Sequence, residues 1–274
     1  MTILLALTGW DTRPWIERLS RHVPGYDIVT LDEPHDIQGI KYICAWKPPQ
    51  GVLSQYANLK ILFSLGAGVD HLLSDPDLPN APLVRVVSGN LTMRMTEYVV
   101  QHVLMHHRQH RMLNDMQTRK AWREVEQPSA DQVRVGIMGL GELGTDAAIT
   151  LKKIGFRVSG WSRGAKEIEG VETYCGHDTL PAFLSGVDIL VCLLPHTPET
   201  DGILGIKLFR LLAQDGPLPD AFPAVINAGR GKLQVEPDII EALNKGVLKG
   251  ATLDVFETEP LPETSPLWNH PRVT

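Results

Sequence analysis

The chain has 274 residues, 43% of them hydrophobic, which is enough to bury substantial cores and on length favours about two domains. A net charge of −6, with lysine and arginine spread along the chain, argues against nucleic-acid binding, which shows itself as a basic stripe. Three widely spaced cysteines (Cys44, Cys175, Cys192) suggest neither a disulfide framework nor a zinc pattern, so a reducing cytoplasm is the simplest setting, and the apolar start lacks the basic flank and length of a signal or membrane-spanning helix.

That start reads instead as a first buried strand over residues 3–7, followed by a helix over 12–21, strands over 27–30 and 42–45, and a helix entered near 51–56. Short strands interleaved with helices indicate a parallel α/β sheet. A strand over 59–65 runs into Gly66-Ala67-Gly68-Val69-Asp70, and glycines at that end of a parallel strand can expose backbone N–H groups where such sheets bind ligands. After a strand over 83–87, residues 91–115 read as one long helix carrying His102, His106 and His110 at four-residue spacing, beside His107. Such spacing could present a metal face. No H-E-x-x-H pattern accompanies it, so no metal is assigned and the stripe is expected to pack between domains or subunits. The polar stretch 117–131, with Pro128, is the expected entry into a second domain.

Residues 132–144, QVRVGIMGLGELG, pass directly from an apolar run into a glycine-rich loop and then into a helix over 142–154. Val133, Val135, Ile137 and Met138 supply the strand. Gly139, Gly141 and Gly144 form G-x-G-x-x-G: the first permits the tight turn, the second lets the backbone approach a pyrophosphate, and the third lets the helix pack on the strand. The helix opens with Glu142 and Leu143 and aims its N–H groups and positive dipole end at the phosphates. The next strand, 156–161, leads to Ser162-Arg163-Gly164, with Lys166 beyond. An NAD-binding unit carries an acid here for the ribose 2′-hydroxyl. A hydroxyl and a guanidinium instead accept a 2′-phosphate, so NADP(H) is favoured over NAD(H).

Strands over 171–175 and 188–194 follow, the second opening into Pro195-His196-Thr197-Pro198-Glu199-Thr200, a loop stiffened by two prolines. His196 stands at the ligand-binding edge, but loop histidines are more often chemically silent and it is given no role. Residues 215–223, DGPLPDAFP, read as a surface insertion. A strand over 224–228 delivers Gly229-Arg230-Gly231, an arginine placed to bind a carboxylate bidentately. A helix over 237–245 and a strand over 251–255, bearing Asp254, come next, and the strand leads into Phe256-Glu257-Thr258-Glu259-Pro260.

Together, GLGELG, LLPHTPET, VINAGRG and GATLDVFETEPLPETSPLWNHPRVT, with SLGAGVDHL in the first half, resemble the D-isomer-specific 2-hydroxyacid dehydrogenases over nearly the whole chain. The resemblance implies a two-domain α/β protein: a flavodoxin-like substrate domain over 1–100 and a Rossmann dinucleotide-binding domain over 101–274, each with a parallel sheet, closing over the substrate. It also implies a homodimer.

By the same resemblance, Arg230 binds the carboxylate and carbonyl of a small 2-oxo acid, Glu259 orients and tunes a catalytic histidine, and the amides of Ala67 and Gly68 hold the substrate carboxylate. Cofactor contacts are implied at Leu194, Pro195, Thr200, Ala228 and Gly229, and at Asp254 beside the nicotinamide carboxamide. Ser162-Arg163, and Trp46 in CAWKPP at the substrate, are similar to the members that reduce glyoxylate and hydroxypyruvate with NADPH. The family carries its histidine, and a helix returning to the first domain, after the strand that begins HPRV. The sequence stops at Thr274, inside that strand, which reads as a truncation. Two other readings stay open: a different dehydrogenase of the family, such as one for D-lactate, and a dinucleotide-sensing binding protein without the histidine.

Overall fold

The computed structural model describes residues 1–217 and 223–274, which form two compact units, Met1–Ser88 and Gly89–Thr274. The first contains β1 (Thr2–Leu7), α1 (Arg13–His22), β2 (Asp27–Thr30), β3 (Ile40–Trp46), β4 (Ile61–Ser64), α2 (Asp70–Leu73) and β5 (Leu83–Val84). Its sheet has the order β2-β1-β3-β4-β5, and every pairing is parallel. Side chains alternate along β1. Leu4 and Ala6 join Ile43, Ala45 and Leu62 on one face, whereas Ile3 and Leu5 pack with Cys44 against Trp15, Ile16 and Leu19 of α1 on the other. With apolar groups packed on both faces, the strands read as unbroken apolar runs. The helix expected near 51–56 is a single 3-10 turn, Val52–Gln55.

The second unit contains α3 (Gly89–His107), α4 (His110–Thr118), β6 (Arg134–Met138), α5 (Glu142–Ile154), β7 (Arg157–Ser162), β8 (Glu172–Cys175), α6 (Leu180–Leu184), β9 (Ile189–Cys192), α7 (Ile206–Phe209), β10 (Ala224–Asn227), α8 (Glu236–Asn244) and β11 (Gly250–Leu253). The strand order is β8-β7-β6-β9-β10-β11, again all parallel. The chain runs outward from β6 to β8 and returns to β9 on the other side of β6. Such a reversal opens a crevice at the strands' C-terminal ends. Ile189 and Val191 face Val135, Ile137, Ala147 and Leu151, while Leu190 and Cys192 face Phe183, Phe209, Ile239 and Leu243. Opposite faces of one four-residue strand thus seal two separate cores.

Four expectations are corrected in this unit. Helix α3 lies wholly within it, because Val99 and Val103 pack with α5 and β6, so the division falls at Ser88/Gly89 and not at 100/101. Residues 117–131 are therefore internal to the unit. The helix is also not continuous to 115: Gln109 takes a left-handed conformation (φ 53°), its side-chain amide donates to the Glu126 carbonyl at 2.7 Å, and α4 restarts at His110. Finally, the histidine stripe packs against the unit's own sheet. His106 Nε2 meets Thr252 Oγ1 of β11 at 3.0 Å, the His107 ring stands edge-on to Phe156, and His110 is exposed. Among the described residues no group of three or more His, Cys, Asp or Glu could hold a metal ion, and no helix is long and apolar enough to cross a membrane.

The insertion expected at 215–223 falls largely on 218–222, outside the described residues. Asp215 at its start pairs with Arg134 at 2.8 Å, and the same guanidinium grips buried Asp188 at 2.8 Å. At the other edge of the sheet, residues 272–274 run parallel beside β11, with Ala251 N–H donating to the Arg272 carbonyl and Leu253 N–H to that of Thr274, both at 2.9 Å.

Burial pushes the His106 imidazole down to about 3, and the positive charges of Arg111, His102 and Lys249 add to the effect. The folded protein therefore keeps this ring neutral while the unfolded chain protonates it below about 6.5. Its contribution to stability is complete above that pH and is lost as pH falls towards 3, by up to about 1.4 kcal/mol per pH unit. Urea unfolding at pH 7.5 and pH 5 tests this: His106→Gln, which keeps a polar partner for Thr252, is expected to lose less stability on acidification than the wild type. Equal losses would refute the assignment.

Candidate functional site

At the crevice of the second unit, β6 turns into α5 through Gly139, Gly141 and Gly144. Gly139 has φ +102°, and a Cβ there would stand 2.8 Å from the Leu193 carbonyl oxygen. A Cβ on residue 144 would stand 1.9 Å from the Gly139 carbonyl oxygen. The fold itself demands these two glycines. Gly141 differs: a Cβ there would meet nothing within 4 Å, and as the N-cap of α5 it offers no side chain to the helix end. The open space lies where the N–H groups of Glu142 and Leu143 begin the helix, an arrangement suited to anionic oxygen.

Ser162 closes β7, and its hydroxyl donates to the Gly164 carbonyl at 2.8 Å, whereas Arg163 and Lys166 are exposed. The hydroxyl proton is thus already engaged, leaving the cationic side chains as the donors available to a phosphate. Opposite lies the loop after β9. There the Thr197 hydroxyl and backbone N–H of Glu199 hold the Glu199 carboxyl below the usual range, with the charges of Arg163 and His177 adding to the effect. Thr200 fastens this loop by donating to the Pro195 carbonyl at 2.8 Å and accepting from Thr197 N–H at 2.8 Å. His196 is taken up by Asp201 at 2.8 Å. Leu194 is buried, Pro195 is exposed, and a Cβ on Gly229 would stand 2.7 Å from the Leu194 carbonyl oxygen.

The neighbouring strands β10 and β11 carry the acid and base groups. Ala228 is buried, and Arg230 is half-buried with a guanidinium N–H donating to the Gly229 carbonyl at 2.7 Å. Gly231 lies so close to the next loop that a Cβ would stand 1.7 Å from the Phe256 carbonyl oxygen. Asp254 N–H donates to the Asn227 carbonyl at 3.0 Å, and the Glu259 carboxylate accepts from Phe256 N–H at 3.3 Å. Helix α3 adds two groups that the sequence reading did not assign to the site. Burial lowers the His102 imidazole, with the Asp254 carboxylate pulling it back up, and burial raises the Tyr98 phenol, with Asp254 adding to the rise. Thus Arg230, Asp254 and Glu259, expected as partners from separate motifs, share one edge.

In the first unit, Trp46 ends β3 and the Gly66–Gly68 loop follows the adjacent β4. A Cβ on Gly66 would stand 2.3 Å from the Trp46 ring, so only glycine lets the indole lie on this loop. Trp10 stacks on the ring's neighbourhood at 4.8 Å and His71 tilts against it at 4.8 Å. Buried Ser64, the last residue of β4, braces the loop through contacts with the Gly66 and Gly68 carbonyls at 3.3 and 3.1 Å. Among the described residues the N–H groups of Ala67 and Gly68 have no acceptor, which leaves two adjacent donors for an anion.

Sequence reasoning missed Ser64, Tyr98, His102, Asn227 and Gln234. For Ser64 and Asn227 the available signal was a polar residue closing an apolar strand, as in ILFS and AVIN.

The family model described as "D-isomer specific 2-hydroxyacid dehydrogenase, NAD binding domain" matches residues 100–274. Glyoxylate/hydroxypyruvate reductase A of Serratia proteamaculans is 39% identical over 280 residues, covering 100% of this chain and 87% of that protein. Among solved structures, the NADPH-dependent glyoxylate/hydroxypyruvate reductase of Sinorhizobium meliloti in complex with NADP and sulfate superposes with a TM-score of 0.92 at 46% identity, over 99% of this chain and 86% of that one. A probable 2-hydroxyacid dehydrogenase of Rhizobium etli, bound to NADP, HEPES and L(+)-tartaric acid, also gives 0.92, at 43% identity and the same coverage.

The different surroundings of the glycines separate ligand from fold. Gly141→Ala is expected to change stability by no more than about 0.5 kcal/mol while weakening NADP binding about tenfold or more, because its methyl enters empty space. Gly144→Ala is expected to cost more than about 1 kcal/mol of stability, since its methyl meets backbone. Thermal unfolding and fluorescence titration with NADP check both, and unchanged affinity in Gly141→Ala would remove the loop from the site.

Proposed function

Since the chain belongs to the D-isomer specific 2-hydroxyacid dehydrogenases, we propose that it reduces glyoxylate and hydroxypyruvate to glycolate and D-glycerate, with NADPH as cofactor. One observation carries the reading: half-buried Arg230 follows β10, and Asp254, near enough to Glu259 to feel its charge, follows the adjacent β11, at the same sheet edge that bears the open Gly141 loop. The second unit is then the dinucleotide domain and the first the substrate domain.

When bound, NADPH supplies a hydride to the ketone carbon of the substrate. Gly139, Gly141, Glu142, Leu143 and Gly144 would hold its pyrophosphate, Arg163 and Lys166 beside Ser162 its 2′-phosphate, and Leu194, Pro195, Thr200, Ala228, Gly229 and Asp254 the remainder. Arg230 donates to the carboxylate and to the ketone oxygen, and so stabilises the negative charge that grows there. The Ala67 and Gly68 amides take a carboxylate oxygen, with Trp46 as the apolar wall beside them. The Glu259 carboxylate favours the protonated form of an imidazole proton donor.

The reading includes a homodimer in the cytoplasm. Supporting the first, Trp122 is 99% exposed just beyond α4, beside exposed Leu113, an apolar surface that a second copy would cover. Supporting the second, Cys44, Cys175 and Cys192 are all unpaired.

The protein expressed from its complete reading frame is expected to oxidise NADPH when given glyoxylate or hydroxypyruvate, and Arg230→Ala to lose about 10²- to 10³-fold in kcat/KM. Inertness of the wild type towards NADPH with several 2-oxo acids would sink the proposal. Arg163→Ala is expected to raise the KM for NADPH about tenfold or more while leaving that for NADH nearly unchanged, because only the phosphorylated ribose needs the guanidinium.

A further inference from the structure

The backbone that carries Arg230 and the backbone that leads to Glu259 are joined by a buried polar chain. Asn227, 0% exposed at the end of β10, accepts from Gly229 N–H at 3.1 Å through its side-chain oxygen. Its amide nitrogen donates to the Arg230 carbonyl at 3.0 Å and to Gln234 Oε1 at 2.8 Å. Gln234, 2% exposed, passes the connection on, donating from Nε2 to the Val255 carbonyl at 2.9 Å. A second clasp lies just beyond. Glu236 N–H donates to the Glu257 carboxylate at 2.8 Å, and Glu257 N–H to the Glu236 carboxylate at 2.9 Å.

We propose that Gln234 is a positioning residue that sets Arg230 in register with the Asp254–Glu259 loop, with Asn227 as its anchor. An apolar pair of similar volume would fill the space without the cost of desolvating two amides. What the amides supply is direction. One end of the chain terminates on the Gly229 N–H and the Arg230 carbonyl, and the other on the Val255 carbonyl, next to Asp254 and four residues before Glu259. An arginine that must meet both a carboxylate and a ketone oxygen is sensitive to displacements of about 1 Å. Glycine at 231 brings the two loops into backbone contact, and Gln234 determines how far one slides along the other.

This inference rests on the reading of Arg230 as the group that meets the 2-oxo acid. Its test uses the complete protein, with steady-state kinetics on glyoxylate and NADPH. Gln234→Met keeps the volume and removes both hydrogen bonds. Gln234→Glu keeps the acceptor for Asn227 and sets a carboxylate against the Val255 carbonyl. Each variant is expected to lose about tenfold or more in kcat/KM for glyoxylate, while the KM for NADPH stays within about twofold. In an Arg230→Lys background, Gln234→Met is expected to lose less than about twofold further, since a point charge on a flexible stem gains little from a fixed fork direction. Should either variant fail to fold, the other carries the measurement. Full activity in a folded Gln234 variant, an equal rise in the NADPH KM, or losses that simply multiply in the double variant would each overturn the positioning role. A wild type idle on every 2-oxo acid would instead defeat the proposed function, and this role with it.

Discussion

Strand β6 hands over to α5 across a turn with no room for a Cβ at residue 144, where one would lie 1.9 Å from the Gly139 carbonyl oxygen. That contact lets the helix start immediately at the sheet edge, next to the point where the strand order reverses between β6 and β9. The other loops of the second unit are arranged around the space so created. Gly139 fits against the Leu193 carbonyl, Gly229 against that of Leu194, and Gly231 against that of Phe256. Glycine at these positions does one job throughout, bringing loop backbones closer than any side chain would allow and leaving N–H groups and a few long side chains to face the crevice.

Below the edge, apolar packing suffices. Ile189 and Val191 on one face, and Leu190 and Cys192 on the other, hold β9 between two cores without any polar group. At the edge that resource ends, because loops have little apolar surface to bury and their backbone groups must all be hydrogen-bonded. Polar side chains take over: Asn227 and Gln234 between the loops after β10 and β11, Thr200 within the loop after β9, and Arg134 between Asp188 and Asp215 at the opposite end of the sheet.

The first unit meets the same need with different residues. Ser64 is buried at the end of β4 and braces the Gly66–Gly68 loop, while Trp46 lies across Gly66. Rigid aromatic area and one hydroxyl replace the amide network. The outcome is a pair of adjacent backbone N–H groups, without an acceptor among the described residues, held in place at a sheet edge.

Much of this was legible in the chain itself. The β6–α5 turn was placed from the glycine spacing together with the apolar strand before it and the amphipathic helix after it, and α5 keeps the expected bounds of Glu142 and Ile154. Short helices α6 and α7 were not anticipated, because four or five residues show no helical period and gain their stability from packing. The break at Gln109 was missed for a related reason. Nothing local forbids a helix there, and only the distant Glu126 carbonyl rewards the left-handed turn. The histidines at 102, 106 and 107 show the limit most clearly: their spacing defines a face, but whether that face meets a metal, a subunit or the chain's own sheet depends on what lies opposite. The sequence by itself determined which elements form, where backbone must come close, and which charged groups stand at strand ends, because these follow from local period and residue size. Only the tertiary structure decided that Asn227 and Gln234 join the loops after β10 and β11, and that His106 is spent on Thr252, because burial and hydrogen-bond partners arise between residues far apart in the chain.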